Sequence, residues 1–274
     1  EEKPRVCYVG QSVYLFPNDL KPIVEAAKEV GANTMYDGAH VLGLIAGKQF
    51  QDPLSDGMDL ITASTHKTFP GPQHGVILGN HDVELPNGKS LYKTIRSRVF
   101  PGVHSNHHLH KVAAFGVSLA EALEFQEEYA KNIISNAKYL AEGLWERGMK
   151  VFASDLGFTE SHTVLVDVSE RGGGADVSKR AEAQGLVMNK NMLPGDTSAV
   201  KPSGIRLGTP EMTRLGMGKD AMDEVAELIH LASISGHETE VRNRARRLKE
   251  EYNEMKYCWP SNHDAYAIPK WSEL

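Results

Sequence analysis

Apolar and polar positions follow two rhythms along this chain, and the switches between them mark its elements. Arg5 to Gly10 is a short apolar run that stops at glycine, the mark of a buried strand. Leu20, Ile23, Val24, Ala27 and Val30 then fall on one helical face, which predicts a helix over Asp19 to Val30 opened by Asn18 or Asp19 as cap. Thr34 to Tyr36 reads as a strand ending at Asp37, Asp59 to Ala63 as a third ending at Ser64, and Gly75 to Leu78 as a fourth. Strands alternating with helices predict an α/β layer architecture, in which ligands collect at the carboxyl ends of the strands.

From His107 to Arg147 helical spacing continues almost without Gly or Pro, which predicts a long helix, broken once near Phe125, that links two domains. After Gly148 the rhythm changes again. Lys150 to Ala153 and Thr163 to Val168 alternate like strands, Asp176 to Gln184 reads as a helix, Gly204 to Leu207 as a strand and Asp220 to Ser233 as a helix. That is a smaller α+β unit, followed after Gly236 by a helical and then irregular tail. The chain shows no internal repeat and no low-complexity tract.

Composition narrows the function. With 41% hydrophobic and 24% charged residues among 274, the chain can build a substantial core. A net charge of −6 with interspersed signs argues against nucleic acid, and the basic run Val241 to Lys249 reads as the solvated face of a C-terminal helix. Two cysteines, Cys7 and Cys258, argue against a disulfide framework and suit a reducing, cytoplasmic compartment. No apolar run approaches a membrane span, so no membrane partner is expected. His104, His107, His108 and His110 cluster in sequence, but no carboxylate or cysteine completes a ligand set, so no metal site is expected.

The sharpest chemistry lies in Ser64-Thr65-His66-Lys67-Thr68, where a strand gives way to the turn Phe69-Pro70-Gly71-Pro72. A lysine at a strand end can present its amine into a cleft, where partial desolvation makes it nucleophilic. Asp37 ends the preceding strand in Tyr36-Asp37-Gly38-Ala39-His40. A carboxylate there can face a pyridine nitrogen, as pyridoxal phosphate requires of its protein.

Taken together, Tyr36 to Leu44 (YDGAHVLGL), Ala63 to Gly75 (ASTHKTFPGPQHG), Asn189 to Pro194 (NKNMLP) and Ser203 to Pro210 (SGIRLGTP) resemble, in order and spacing, the motif series of serine hydroxymethyltransferases. The resemblance runs to about Ser233. It implies a fold type I pyridoxal-phosphate enzyme: 1–125 as the second half of the cofactor-binding large domain, 126–236 as the small C-terminal domain, and 237–274 as a helical and irregular tail. It implies Lys67 as the Schiff-base lysine and Asp37 as the partner of the pyridine nitrogen. His40 and Ser12 would stand near the cofactor's phenolic oxygen, with Thr65 and His66 beside the lysine. Arg206 would bind the substrate carboxylate through two parallel hydrogen bonds, and Asn191 would approach the pterin of the folate.

Two segments depart from the family pattern. Gln73-His74-Gly75 stands where the family has Arg-Gly-Gly, and Ser105-Asn106-His107 stands where it has Gly-Gly-Pro. These changes resemble divergent, archaeal-like members or relatives that use threonine. The reaction implied is the interconversion of serine and glycine, with tetrahydrofolate or a related pterin taking the one-carbon unit, in a homodimer. A threonine aldolase or transaldolase of the same fold is the alternative, and a catalytically silent fragment a third. The resemblance also implies that the ring stacked on the cofactor, the nest for its phosphate and a proton-transfer glutamate belong to an upstream half, so the expected partners include that half.

Overall fold

The computed structural model describes residues 2–80, 83–85, 87–260, 265 and 267. The chain divides into two compact units, Glu1–Ala130 and Lys131–Leu274.

In the first unit β1 (Val6–Gly10), β2 (Asn33–Asp37), β3 (Leu60–His66) and β4 (Pro70–Gly79) form one sheet in that order. β1, β2 and β3 run parallel, and β4 returns antiparallel to β3 because the turn between them is too short for a crossover. Successive side chains of a strand point to opposite faces. Tyr36 on β2 and Ile61 and Ala63 on β3 are thereby buried, with Tyr14, Leu20, Val24, Val41, Leu44 and Met58, whereas Asp37 lies on the other face. Tyr14 packs its ring 5.9 Å from that of Tyr36 and edge-on to Phe50.

Helix α1 (Lys21–Glu29) follows β1, and α2 (Leu42–Ala46) follows β2. The expected cap at Asn18 or Asp19 does not form. Leu20 occupies the cap position without a side-chain bond, and Pro22 stands in the first turn, where a missing N–H costs nothing. Asn18 is engaged elsewhere: its N–H donates to Gln51 Oε1 at 2.9 Å and its carbonyl accepts from Gln51 Nε2 at 3.0 Å. After β4 comes α3 (Leu91–Ser97), capped by the Ser90 hydroxyl.

Helix α4 (Leu109–Glu146) runs without the break expected near Phe125. No Gly or Pro interrupts its ladder between Gly116 and Gly143. What changes near Phe125 is burial: Val112, Val117, Leu119 and Leu123 are exposed, whereas Gln126, Tyr129, Ala130, Ile133, Ala137, Leu140, Ala141 and Leu144 form a buried helical stripe.

The second unit carries a sheet of β5 (Lys150–Val151), β6 (Thr163–Asp167), β7 (Asn189–Asn191) and β8 (Gly204–Gly208), in the order β5-β6-β8-β7 and antiparallel throughout. β5 is shorter than expected because Ala153 turns left-handed at φ 56°. Helices α5 (Gly174–Ala183), α6 (Pro210–Arg214), α7 (Lys219–Ala232) and α8 (Glu238–Glu251) complete the unit. Val151, Val164, Val166, Ile205 and Leu207 share a core with Leu140 and Leu144 of α4 and with Met222, Val225 and Ile229 of α7.

Helix α8 is the basic run. Its Val241 is buried against α7, and Arg244 forms a two-pronged ion pair with Glu224 of α7 (2.8 and 2.6 Å) and a further bond to Glu240. The tail segment thus packs into the second unit. No helix among the described residues is long and apolar enough to cross a membrane.

Candidate active site

Asp37 is the last residue of β2, where the sheet's parallel strands end. Gly10 stands directly opposite on β1, so close that a Cβ there would overlap the Asp37 side chain. The Asp37 carboxylate is held at both oxygens: Ala39 N–H donates to Oδ1 at 2.9 Å, and the Tyr8 phenol donates to Oδ2 at 2.7 Å. Its main-chain carbonyl accepts from the Tyr14 hydroxyl at 2.8 Å. The bond donated to Asp37, reinforced by burial, pushes the Tyr8 phenol above its ordinary value; burial does the same for Tyr14.

β3 lies beside β2 and parallel to it, with Asp37 in register with Thr62, and continues past that register to His66. Lys67 follows at once. Its side chain is exposed and forms no hydrogen bond or ion pair among the described residues. The two threonines around it are buried and fully engaged. Thr65 donates to the Pro72 carbonyl at 2.6 Å, tying β3 to the start of β4. Thr68 donates to the His40 carbonyl at 2.9 Å and accepts the Gly43 N–H at 3.0 Å, tying the turn to the segment that follows β2. Phe69 anchors the same turn against Phe115, with ring centroids 5.8 Å apart. Among the described residues Lys67 therefore carries an unbonded amine on a backbone pinned from both sides.

His40 is half-buried and Ser12 exposed, and both take part in further interactions within the protein. His66 is exposed beside Lys67. The Thr65 hydroxyl is spent on the backbone of β4, so its part in the turn is to shape it.

Arg206 and Asn191 belong to the second unit. Arg206 sits on β8, an inner strand between β6 and β7, in register with Leu165 and Asn189. It is half-buried, and burial pulls its guanidinium below the ordinary value. Asn191 ends β7 and donates to the Met192 carbonyl at 2.6 Å. The loop that follows is stapled by Asp196, whose Oδ2 accepts from Leu193 N–H, Ser203 N–H and the Ser203 hydroxyl at 2.8 to 2.9 Å. These bonds, that to the Ser203 amide foremost, hold its carboxyl below the usual range.

The four clustered histidines are exposed; the rings of His108 and His110 stand 5.7 Å apart. No group of three or more His, Cys, Asp or Glu among the described residues is arranged to hold a metal ion. Two contributors escape sequence reasoning, Tyr8 and Thr68. Thr68 lay within the quoted motif, and its role shows only through its bonds to His40 and Gly43.

The donor set fits pyridoxal phosphate. An amine unbonded among the described residues suits the aldehyde, and a carboxylate oriented at both oxygens, at the end of the adjacent parallel strand, suits the ring nitrogen. This mixed α/β architecture is consistent with that of the fold type I pyridoxal-phosphate-dependent transferases.

Comparison with known proteins narrows the class. The family model described as serine hydroxymethyltransferase matches residues 1–229. The chain is 53% identical over 272 residues to the serine hydroxymethyltransferase of Thermoplasma volcanium, covering 98% of this chain and 62% of that protein. It is 53% identical over 273 residues to that of Thermoplasma acidophilum, with the same coverage, and 47% identical over 273 residues to that of Methanopyrus kandleri. The chain belongs to the serine hydroxymethyltransferase family and spans about 62% of the length of these relatives.

Proposed function

We propose that the protein interconverts serine and glycine with pyridoxal phosphate as cofactor and passes the one-carbon unit to tetrahydrofolate or a related pterin. The observation that carries this reading is the occurrence, after neighbouring parallel strands, of the exposed Lys67 amine, unbonded among the described residues, and the doubly held Asp37 carboxylate. Family membership gives these two groups their chemistry.

When bound, pyridoxal phosphate supplies an electron sink conjugated to the amino-acid nitrogen. Lys67 would hold it through its side-chain amine. Asp37 keeps a proton on the ring nitrogen, which its two fixed oxygens allow without rearrangement. His40 and Ser12 would hold the cofactor near its phenolic oxygen. Arg206 orients the substrate carboxylate, a task suited to a planar guanidinium already relieved of much of its water. Asn191 reads the pterin.

Two free cysteines, Cys7 and Cys258, support the cytoplasm as its setting, and we propose the homodimer as its form. Borohydride reduction of the cofactor-loaded protein followed by peptide mapping tests the central assignment. Label on Lys67 supports it, and label on another lysine would remove Lys67 from the site.

A further inference from the structure

One group touches Asp37 that neither the motif series nor the proposed chemistry uses. Tyr8 and Gly10 of β1 share a sheet face with Asp37 of β2 and Thr62 of β3, because Gly10 pairs with Asp37 and Asp37 with Thr62. The Asp37 side chain occupies the space that a Cβ on Gly10 would need, and the Tyr8 phenol reaches its Oδ2 at 2.7 Å. Ala39 N–H fills the other oxygen. One donor on each oxygen fixes the plane of the carboxylate and leaves each a second lone pair for a ring N–H. The Thr62 hydroxyl interacts with the same phenol, so one side chain from each of three neighbouring strands joins in the arrangement.

We propose that Tyr8 is a positioning residue for the cofactor: its phenol holds the Asp37 carboxylate in the orientation that meets the pyridine nitrogen, and takes up part of its negative charge. The inference rests on the assignment of Asp37 to that nitrogen. Tyr8 suits a permanent donor, since the bond it donates makes its proton harder to remove. Tyr14 provides the comparison, because its hydroxyl donates to the Asp37 main-chain carbonyl, and the Asp37 carboxylate acts on it through charge. Losing Tyr8 frees the carboxylate to rotate, and binding must then immobilise it again. Ordering one side chain costs about three- to tenfold in affinity.

The test uses the protein with pyridoxal 5′-phosphate, in wild type, Tyr8→Phe and Tyr14→Phe. Tyr8→Phe should bind the cofactor about three- to tenfold more weakly and move the pH profile of its visible absorbance, with the borohydride label still on Lys67. Tyr14→Phe should leave that pH profile in place. A Tyr8→Phe protein with wild-type affinity and pH profile overturns the positioning role while the proposed function stands. A wild type whose label falls on a lysine other than Lys67 overturns the site assignment on which the proposed function rests, and this inference with it. A cofactor-free measurement bears on the contact itself. In a tyrosine-labelled NMR titration the Tyr8 resonance should ionise above 10.0 and fall back when Asp37 is replaced by Asn; ionisation at the ordinary value would overturn the inference.

Discussion

Gly43 lies with its α-carbon against the main chain of Thr68, and its N–H donates to the Thr68 hydroxyl at 3.0 Å. A Cβ on Gly43 would overlap the Thr68 carbonyl and stand 2.6 Å from the Phe69 nitrogen. The start of α2 and the turn that carries Lys67 are therefore one piece of structure. Gly43→Ala should cost about 1 to 3 kcal/mol, since the obstruction is backbone and cannot swing aside. Urea unfolding measures that loss. Reductive labelling of Lys67 should fall with it, and a variant of unchanged midpoint would show that the two segments are not coupled.

Arg206→Ala should weaken serine binding by about 2 to 5 kcal/mol while cofactor affinity stays within twofold, about 0.4 kcal/mol, because only the amino acid offers it a carboxylate. Arg206→Lys should recover only part of the loss, as an ammonium cannot make the paired bonds of a guanidinium. Separate titrations with serine and with pyridoxal phosphate give the two numbers, and an unchanged serine dissociation constant would place the carboxylate elsewhere.

Asn136 is buried on α4, and its amide donates to Thr213 Oγ1 at 2.9 Å and to the Met217 carbonyl at 2.8 Å. Asn136→Ala leaves the buried Met217 carbonyl without this donor and should cost about 1 to 3 kcal/mol. Thermal unfolding of the variant reads this directly, and a loss within 0.5 kcal/mol, about the scatter of surface substitutions, would mean that water replaces the amide.

Glu224 ties α7 to α8 through Arg244, whose two-pronged bond holds its carboxyl below the ordinary 4.5. A carboxyl depressed on folding adds stability above its unfolded value, and that stability is lost as pH falls through the folded one. Glu224→Gln should therefore destabilise the protein at pH 7, by no more than about 1 kcal/mol for a pair a third open to water. The difference from wild type should shrink below 4.5. Urea midpoints at neutral and acid pH decide it; a gap independent of pH would mean that packing, not charge, makes the contact.

How far the sequence disclosed this molecule depends on the length of each signal. β2 and β3 were legible because their apolar runs stop at Asp37 and at Ser64, although β3 continues through polar residues to His66. The 38 residues of α4 were legible as helix, and the supposed break near Phe125 was a change of buried face. α2 and α6, of five residues each, are too short for a period to show. The sequence did not disclose the reversal of β4: the segment Phe69-Pro70-Gly71-Pro72, expected as a turn, is strand from Pro70 onward, and only Lys67, Thr68 and Phe69 separate β4 from β3. Tyr8 could not be found, because a tyrosine in an apolar strand reads as packing, and only the pairing of β1 with β2 brings its hydroxyl to Asp37.

The alternation of β2 makes its chemistry self-checking. Tyr36 is fully buried and Asp37 faces the other way, so a slip of one residue would drive a carboxylate into the place of a phenol ring and turn that ring out to solvent. Misregistered chains are thus penalised by their core before they can present a misplaced carboxylate. Errors in synthesis or folding at this strand should accordingly surface as unfolded protein, cleared by proteases, rather than as folded molecules with faulty specificity.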